Sequence, residues 1–335
     1  MRRPSAERRR RLRRVAVAPA LVTLLNGVFG FAAIHFTARG MNDPEALWLH
    51  KPELTFFAAA AWMIFLAMVA DGLDGFLARM TRGASSFGGQ LDSLADVISF
   101  GVAPAFLMLR VVESSLSGVF GAASPAFGSL GGKVLWGTAA FYVCCTALRL
   151  ARFNVEHSTV EELHLAFSGL PSPAAAGVVA SLVLLYGDLA WQLKEQAPRA
   201  VQLGSQVIVW LLPAVTAGMG VLMVSRVPYR HLVNQLLRGR KPFGHFLGVL
   251  LLVLCLFMQP QLTLAGAFLS YTLVGLGAWL WRRWRSLSTV GEQAPGPEAL
   301  GPTAQAGAAV APSPPGTGSA DQSQDKSASR LRLKL

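Results

Sequence analysis

The 335-residue chain is 53% hydrophobic and only 14% charged, whereas a soluble domain usually carries about 25% charged residues. This composition excludes an ordinary soluble protein and indicates an all-α polytopic membrane protein. The formal net charge of +12 would favour a nucleic-acid partner in a soluble protein. Here the basic residues cluster at the ends of apolar runs, so we expect membrane lipids, and no nucleic acid, as partners.

Apolar runs along the chain predict about eight transmembrane helices. The predicted spans are 15–38, 54–78, 92–109, 134–155, 168–190, 204–225, 243–258 and 262–281. The third span contains Asp92, Asp96 and Pro104, so one of its faces must contact protein or water rather than lipid. Only residues 259–261 separate the last two spans, which therefore form a helical hairpin.

The distribution of arginine and lysine predicts the orientation of the helices. The strongly basic segment 1–14 precedes the first span, and further basic residues follow every second span. We therefore expect both termini on the cytoplasmic side of a bacterial cytoplasmic membrane. From residue 286 to residue 335 the chain is rich in proline, glycine, alanine and serine, which predicts a disordered tail.

Four aspartates interrupt the apolar pattern at the cytoplasmic ends of the second and third spans. They are Asp71, Asp74, Asp92 and Asp96, the only acidic residues between Glu53 and Glu113. Residues three or four apart share a face of a helix, so each span presents a pair of carboxylates. Because an ionisable group inside a bilayer is costly, such a group marks a functional site.

Four carboxylates from two neighbouring helices would repel one another without a counter-ion. Divalent cations relieve this repulsion, and all-oxygen ligands favour Mg²⁺ or Mn²⁺, with Ca²⁺ as a further candidate, over zinc. Two such ions can hold a diphosphate and stabilise displacement at phosphorus. The residue types alone leave open another class of protein, a cation transporter that uses intramembrane aspartates.

The spacing of the motif is more specific than its residue types. From Asp71 to Asp96 the chain reads D-x2-D-G-x2-A-R-x8-G-x3-D-x3-D, which resembles the signature of the CDP-alcohol phosphotransferase family at every position. The matching residues are Asp71, Asp74, Gly75, Ala78, Arg79, Gly88, Asp92 and Asp96.

The resemblance implies an architecture and a reaction. It implies a six-helix catalytic core over residues 15–230, often in a homodimer, followed here by an added hairpin over residues 231–285. Enzymes of this family transfer a phosphoryl group from a cytidine diphosphate-linked donor to an alcohol and release CMP at a two-metal site.

The resemblance also implies roles for individual residues. Asp71, Asp74 and Asp92 would be metal ligands, and Asp96 would complete the metal site and act as the base for the acceptor hydroxyl. The predicted contacts to the cytidine and diphosphate are Gly75, Ala78, Arg79 and Gly88, together with Thr23 and Asn26 on one face of the first helix.

Further segments resemble the phosphatidylserine synthase branch of the family, whose substrates are CDP-diacylglycerol and L-serine. They are APALVTLLNGVFG (18–30) in the first helix, SFGGQLDSLADVISFGVAPA (86–105), ALRLARFNV (147–155), FSGLPSPAAAG (167–177) and MVSRVPY (223–229). Glycerol-3-phosphate and inositol phosphate stay open as alternative acceptors.

Four residues are candidates for binding serine or a phosphate: Arg149, Arg152, Asn154 and Ser99. A guanidinium suits a carboxylate or phosphate, although both arginines could instead extend to lipid headgroups. Asn154 could instead cap its helix. The hydroxyl of Ser99 could bond only to the backbone one turn earlier.

Overall fold

The computed structural model describes residues 6–42, 55–81, 86–116, 129–159, 169–193, 199–227, 229 and 243–291. Nearly all of these residues are helical, and no β-strand occurs among them. The helices are α1 (Ala6–Asn42), α2 (Phe56–Thr81), α3 (Ser86–Asp96), a π-helix (Val97–Val102), α4 (Ala103–Ser115), α5 (Leu130–Thr159), α6 (Ser172–Leu193), α7 (Arg199–Val224), α8 (Phe243–Met258) and α9 (Pro260–Gly291).

The lengths and composition of these helices define an integral membrane protein. Within the described ranges, seven helical segments are long and apolar enough to cross a bilayer. The apolar segment of α8, Leu247–Met258, is shorter and spans about 18 Å, against about 30 Å of hydrocarbon. The structure thus confirms the predicted all-α membrane fold with seven to eight apolar helices.

The third span is longer than its apolar run indicated. It begins at Ser86 rather than near residue 92 and continues to Ser115 through α3, the π-helix and α4. Two glycines and Gln90 lower the hydropathy of its first turns, so the apolar run begins late. The π-helix starts directly after Asp96, and such local widening of a helix is frequent at functional sites.

The π-helix lies between α1 and α5 in the centre of the bundle. A Cβ atom on Gly30 of α1 would lie 2.8 Å from the Cα atom of Ser99, so only glycine allows this approach. From the other side, the Tyr142 hydroxyl of α5 donates a hydrogen bond of 3.1 Å to the carbonyl oxygen of Phe100. The backbone that follows Asp96 is therefore held from both sides.

The start of α6 is fixed against the end of α7 by a glycine. Gly169 has φ of +101°, which disfavours any residue with a side chain. Its amide donates a 2.9 Å hydrogen bond to the carbonyl of Val227, and a Cβ there would meet the carbonyl oxygen of Met223. The GLPSP segment thus leads into α6, whose first residue is Ser172.

The C-terminal hairpin consists of α8 and α9, with Gln259 alone between them. All but one of the residues from 247 to 258 are exposed, as expected of a helix surrounded by lipid. The described residues up to Ser286 belong to one compact unit, and those after it belong to a second. α9 continues to Gly291, and the rest of the predicted tail lies outside the described residues.

Candidate active site

Three of the four aspartates predicted as metal ligands, all on α2 and α3, come together, and Asp96 is not in this group. One carboxylate oxygen from each of Asp71, Asp74 and Asp92 lies within 4.8 Å of the others. Asp74 is only 4% exposed and Asp96 only 7% exposed, so these carboxylates are removed from solvent. Three carboxylates at this separation can share a divalent cation, which offsets their mutual repulsion.

Helix α1 holds one aspartate from each of the two neighbouring helices. The hydroxyl of Thr23 forms a hydrogen bond with the carboxylate of Asp74. One turn further along, Asn26 is fully buried, and its Nδ2 atom donates a 3.0 Å hydrogen bond to Oδ1 of Asp96. These hydrogen bonds orient the acidic cluster, and the contact of the two residues with the nucleotide stays a prediction.

The main chain at Asn26 is held by the π-helix. The hydroxyl of Ser99 donates a 2.9 Å hydrogen bond to the main-chain carbonyl oxygen of Asn26. The alternative considered for Ser99, a bond to its own helix, is therefore wrong. Since Ser99 is also fully buried, it positions α1 against the segment that carries Asp96.

Buried oxygens without a partner identify a place for cations. In the described part of the chain, four buried side-chain atoms lack a hydrogen-bond partner, and three of them belong to this cluster: Asn26 Oδ1, Asp74 Oδ2 and Asp92 Oδ1. Buried acceptors are normally satisfied, and these three face no donor. An all-oxygen set of this kind fits Mg²⁺, Mn²⁺ or Ca²⁺.

Arg149 on α5 lies beside the acidic cluster. The carboxylates of Asp96 and Asp71 act electrostatically on its guanidinium, and its Nη1 atom donates a 2.7 Å hydrogen bond to the hydroxyl of Ser172. Among the described residues, no carboxylate oxygen lies within the 4.0 Å of a salt bridge to it. The guanidinium is thus held near the aspartates without a neutralising partner there.

The other two residues of α5 that were candidates for binding serine or a phosphate are more exposed than Arg149. Arg152 and Asn154 are both exposed. The Nδ2 atom of Asn154 donates a 2.9 Å hydrogen bond to the hydroxyl of Ser93, which links α5 to α3. Because α5 continues to Thr159, Asn154 does not cap the end of its helix.

The remaining motif residues lie on the two helices that carry the aspartates. Gly75 follows Asp74 on α2 and is half-buried, as is Gly88 in the first turn of α3. Ala78 and Arg79 fall within α2, but their side chains lie outside the described residues. Roles for these four in binding cytidine or diphosphate stay predictions.

Ser172 is a site residue that the sequence patterns do not identify. Its side chain is fully buried and its hydroxyl accepts a hydrogen bond from Nη1 of Arg149. A buried serine beside a proline carries no local signal of such a contact, because its partner is 23 residues earlier in the chain.

The fold and the site together define a class of protein. It is an integral membrane protein in which helix ends present a buried, all-oxygen cluster suited to divalent cations and phosphates. A family model described as CDP-alcohol phosphatidyltransferase matches residues 16–222. The chain belongs to this family, which is generally dependent on divalent metals.

Relatives with assigned names come from bacteria and an archaeon. The chain is 32% identical over 224 residues to the CDP-diacylglycerol–serine O-phosphatidyltransferase of Helicobacter pylori, covering 67% of this chain and 81% of that protein. A protein of the same name from Bacillus subtilis is 29% identical over 213 residues, covering 64% of this chain and 89% of that protein. A third, from Methanocaldococcus jannaschii, is 39% identical over 114 residues, covering 34% and 45%.

Proposed function

We propose that this chain transfers the phosphatidyl group of CDP-diacylglycerol to the hydroxyl of L-serine, giving phosphatidylserine and CMP. The observation that carries the proposal is the convergence of Asp71, Asp74 and Asp92 within 4.8 Å, in a family of CDP-alcohol phosphatidyltransferases. Relatives named for the serine reaction support the choice of acceptor.

The aspartates would hold two divalent cations, Mg²⁺ or Mn²⁺, with Ca²⁺ as a further candidate. When bound, these ions supply positive charge that offsets the charge of the diphosphate as its bridging bond breaks. Asp71, Asp74 and Asp92 would be the ligands, and Asp96 would complete the metal site. Gly75 and Gly88 leave room for the nucleotide and diphosphate beside the carboxylates.

Asp96 is the proposed base. Its carboxylate accepts the proton of the serine hydroxyl, and the serine oxygen forms a bond to the phosphorus that carries diacylglycerol. The bond from that phosphorus to the bridging oxygen breaks, and CMP leaves with the bridging oxygen. The hydrogen bond from Asn26 keeps one carboxylate oxygen occupied, so the other is directed to the substrate.

Arg149 is the proposed binding group for the carboxylate of serine. A half-buried guanidinium without a salt bridge among the described residues favours an anionic ligand, because a buried charge without a close partner is costly. Its position beside Asp96 would place the serine hydroxyl near the base. The protein need form no covalent intermediate, so positioning and electrostatics supply the acceleration.

The proposed orientation places both termini and the active site on the cytoplasmic side. The support is the concentration of basic residues in the N-terminal segment and in the loops on that side. Serine then reaches the site from the cytoplasm, while the acyl chains of the donor stay in the inner leaflet. We also propose a homodimer, on the family resemblance alone; crosslinking in native membranes would test it.

The deciding experiment measures CMP release by the purified protein in detergent with CDP-diacylglycerol and Mn²⁺ or Mg²⁺. Serine, glycerol-3-phosphate and inositol phosphate are supplied one at a time. We expect release with serine alone, lost in Asp96→Asn. Release with another acceptor would keep the family and reject serine, whereas folded protein that releases no CMP would favour a cation transporter.

A further inference from the structure

The surroundings of Arg149 extend beyond the segment that matches the family. The charge of its guanidinium acts on the hydroxyl of Tyr271 on α9, in addition to the hydrogen bond with Ser172 on α6. α9 begins at Pro260, well after the matched residues 16–222. An element outside the matched core therefore brings a polar group to the proposed acceptor side.

α9 is held in this place by contacts with the part of the chain that follows α7. The rings of Tyr229 and Tyr271 lie with their centroids 5.8 Å apart. The hydroxyl of Tyr229 donates a 3.4 Å hydrogen bond to the carbonyl of Thr272. Next to this bond, Gly275 lies against the Tyr229 ring so closely that a Cβ atom would overlap it.

A second contact fixes α9 against the core deeper in the bundle. The Phe268 ring lies against Gly177 of α6, where a Cβ atom would also overlap it. The same ring lies 5.7 Å, between centroids, from Phe65 of α2. Gly177 and Gly275, at two separate contacts, let α9 come close to the core. The packing of α9 therefore determines the position of Tyr271.

We propose that Tyr271 and Ser172 complete, with Arg149, a subsite for the carboxylate of the amino-acid acceptor, and that α9 forms one wall of it. The inference rests on the proposed function. Ser172 holds the guanidinium in place, and the Tyr271 hydroxyl supplies a further donor to the same anion. A neutral hydroxyl and a fixed guanidinium on separate helices are a suitable pair for a carboxylate.

The test compares serine with ethanolamine, which has the same hydroxyl and ammonium but no carboxylate. For the wild type we expect kcat/KM to be higher for serine. In Tyr271→Phe and in Ser172→Ala the ratio of the two kcat/KM values should fall by roughly tenfold, since one hydrogen bond to a charged group is lost in each. The KM for CDP-diacylglycerol should not change.

The control for loss of a hydroxyl is Tyr186→Phe. Tyr186 is also on α6 and its hydroxyl pairs with that of Ser115 at 2.8 Å, about 21 Å along the helix from Ser172. Its serine-to-ethanolamine ratio should equal that of the wild type. A general structural defect would lower kcat/KM for serine and for ethanolamine by the same factor. An unchanged ratio in Tyr271→Phe and Ser172→Ala therefore overturns the subsite.

A glycine pair tests whether α9 is a wall of the subsite. Gly275→Leu forces the helix away from Tyr229, whereas a Cβ on Gly277, two residues later, meets nothing within 4 Å. We expect Gly275→Leu to raise the KM for serine several-fold and Gly277→Leu to leave it unchanged. Equal KM values for the two variants would overturn the role of α9.

The wild type separates this inference from the proposed function. If wild-type protein releases no CMP with serine, the proposed function fails and the subsite with it. If the wild type is active and every variant has the same serine-to-ethanolamine ratio of kcat/KM as the wild type, only the subsite is rejected.

Discussion

Removal of the hydrogen bond from Asn26 to Asp96 should lower the rate of catalysis by an amount that the structure allows us to estimate. Asn26→Leu keeps the branching and the number of heavy atoms of a fully buried side chain but removes the Nδ2 donor that lies 3.0 Å from Oδ1 of Asp96. Asp96 then keeps its buried position with one oxygen unsatisfied and its orientation no longer fixed. The variant should therefore lose turnover more than it loses substrate binding.

The expected size of the loss follows from the kind of bond that is removed. A hydrogen bond to a charged group contributes about 1.5–3 kcal/mol. If that free energy is lost from the transition state, kcat/KM falls about tenfold to 150-fold, because each 1.36 kcal/mol is a factor of ten. The assay is steady-state CMP release with serine and CDP-diacylglycerol each varied in turn.

A matched control separates this effect from a general disturbance of α1. Thr37 lies on the same helix and is also fully buried, but its hydroxyl bonds only to the carbonyl of Ala33. Thr37→Val should leave kcat/KM within about twofold of the wild type. The reasoning is refuted if Asn26→Leu does the same, or if both variants lose activity equally.

The remaining predictions concern the metal ligands and the packing of α6. Asp92→Asn should abolish CMP release and weaken Mn²⁺ binding measured by electron paramagnetic resonance, because an amide lacks the negative charge; normal turnover would contradict the assignment of Asp92 as a ligand. Treatment of the wild type with EDTA should stop CMP release, and added Mn²⁺ or Mg²⁺ should restore it, whereas activity that survives chelation would argue against a divalent cofactor. Gly169→Ala should lower the unfolding temperature in detergent, since its φ of +101° costs about 1–2 kcal/mol for a residue with a side chain and its Cβ would meet the Met223 carbonyl. Gly187→Ala, where a Cβ meets nothing within 4 Å, is the control, and equal losses in the two variants would count against a strained turn.

Sequence patterns predicted the spans and the acidic cluster because both depend on local regularities. Apolar runs of about 20 residues indicate spans directly, and the fixed offsets from Asp71 to Asp96 place carboxylates on two adjacent helix faces. The start of the third span was set too late, since Gly88, Gly89 and Gln90 are helical without being apolar.

Contacts between distant residues could not be predicted in the same way. Asn26 and Asp96 are 70 positions apart, and which donor meets which aspartate depends on how deeply α1 sits against α3. That depth is determined by the contact of Gly30 with Ser99. The hydrogen bond between Arg149 and Ser172, the first residue of α6, could not be predicted for the same reason, because the two residues are 23 positions apart.

The hydrogen bonds from α1 to Asp74 and Asp96 have a consequence for the order in which the site is assembled during synthesis. α1 is synthesised before α3, so Asn26 cannot bond to Asp96 until α3 is made. A chain that stops before Ser86 contains Thr23 and Asp74 but only two of the four clustered aspartates. The proposed ion site would therefore be completed in one step, when the third span is made, rather than gradually as each helix enters the membrane.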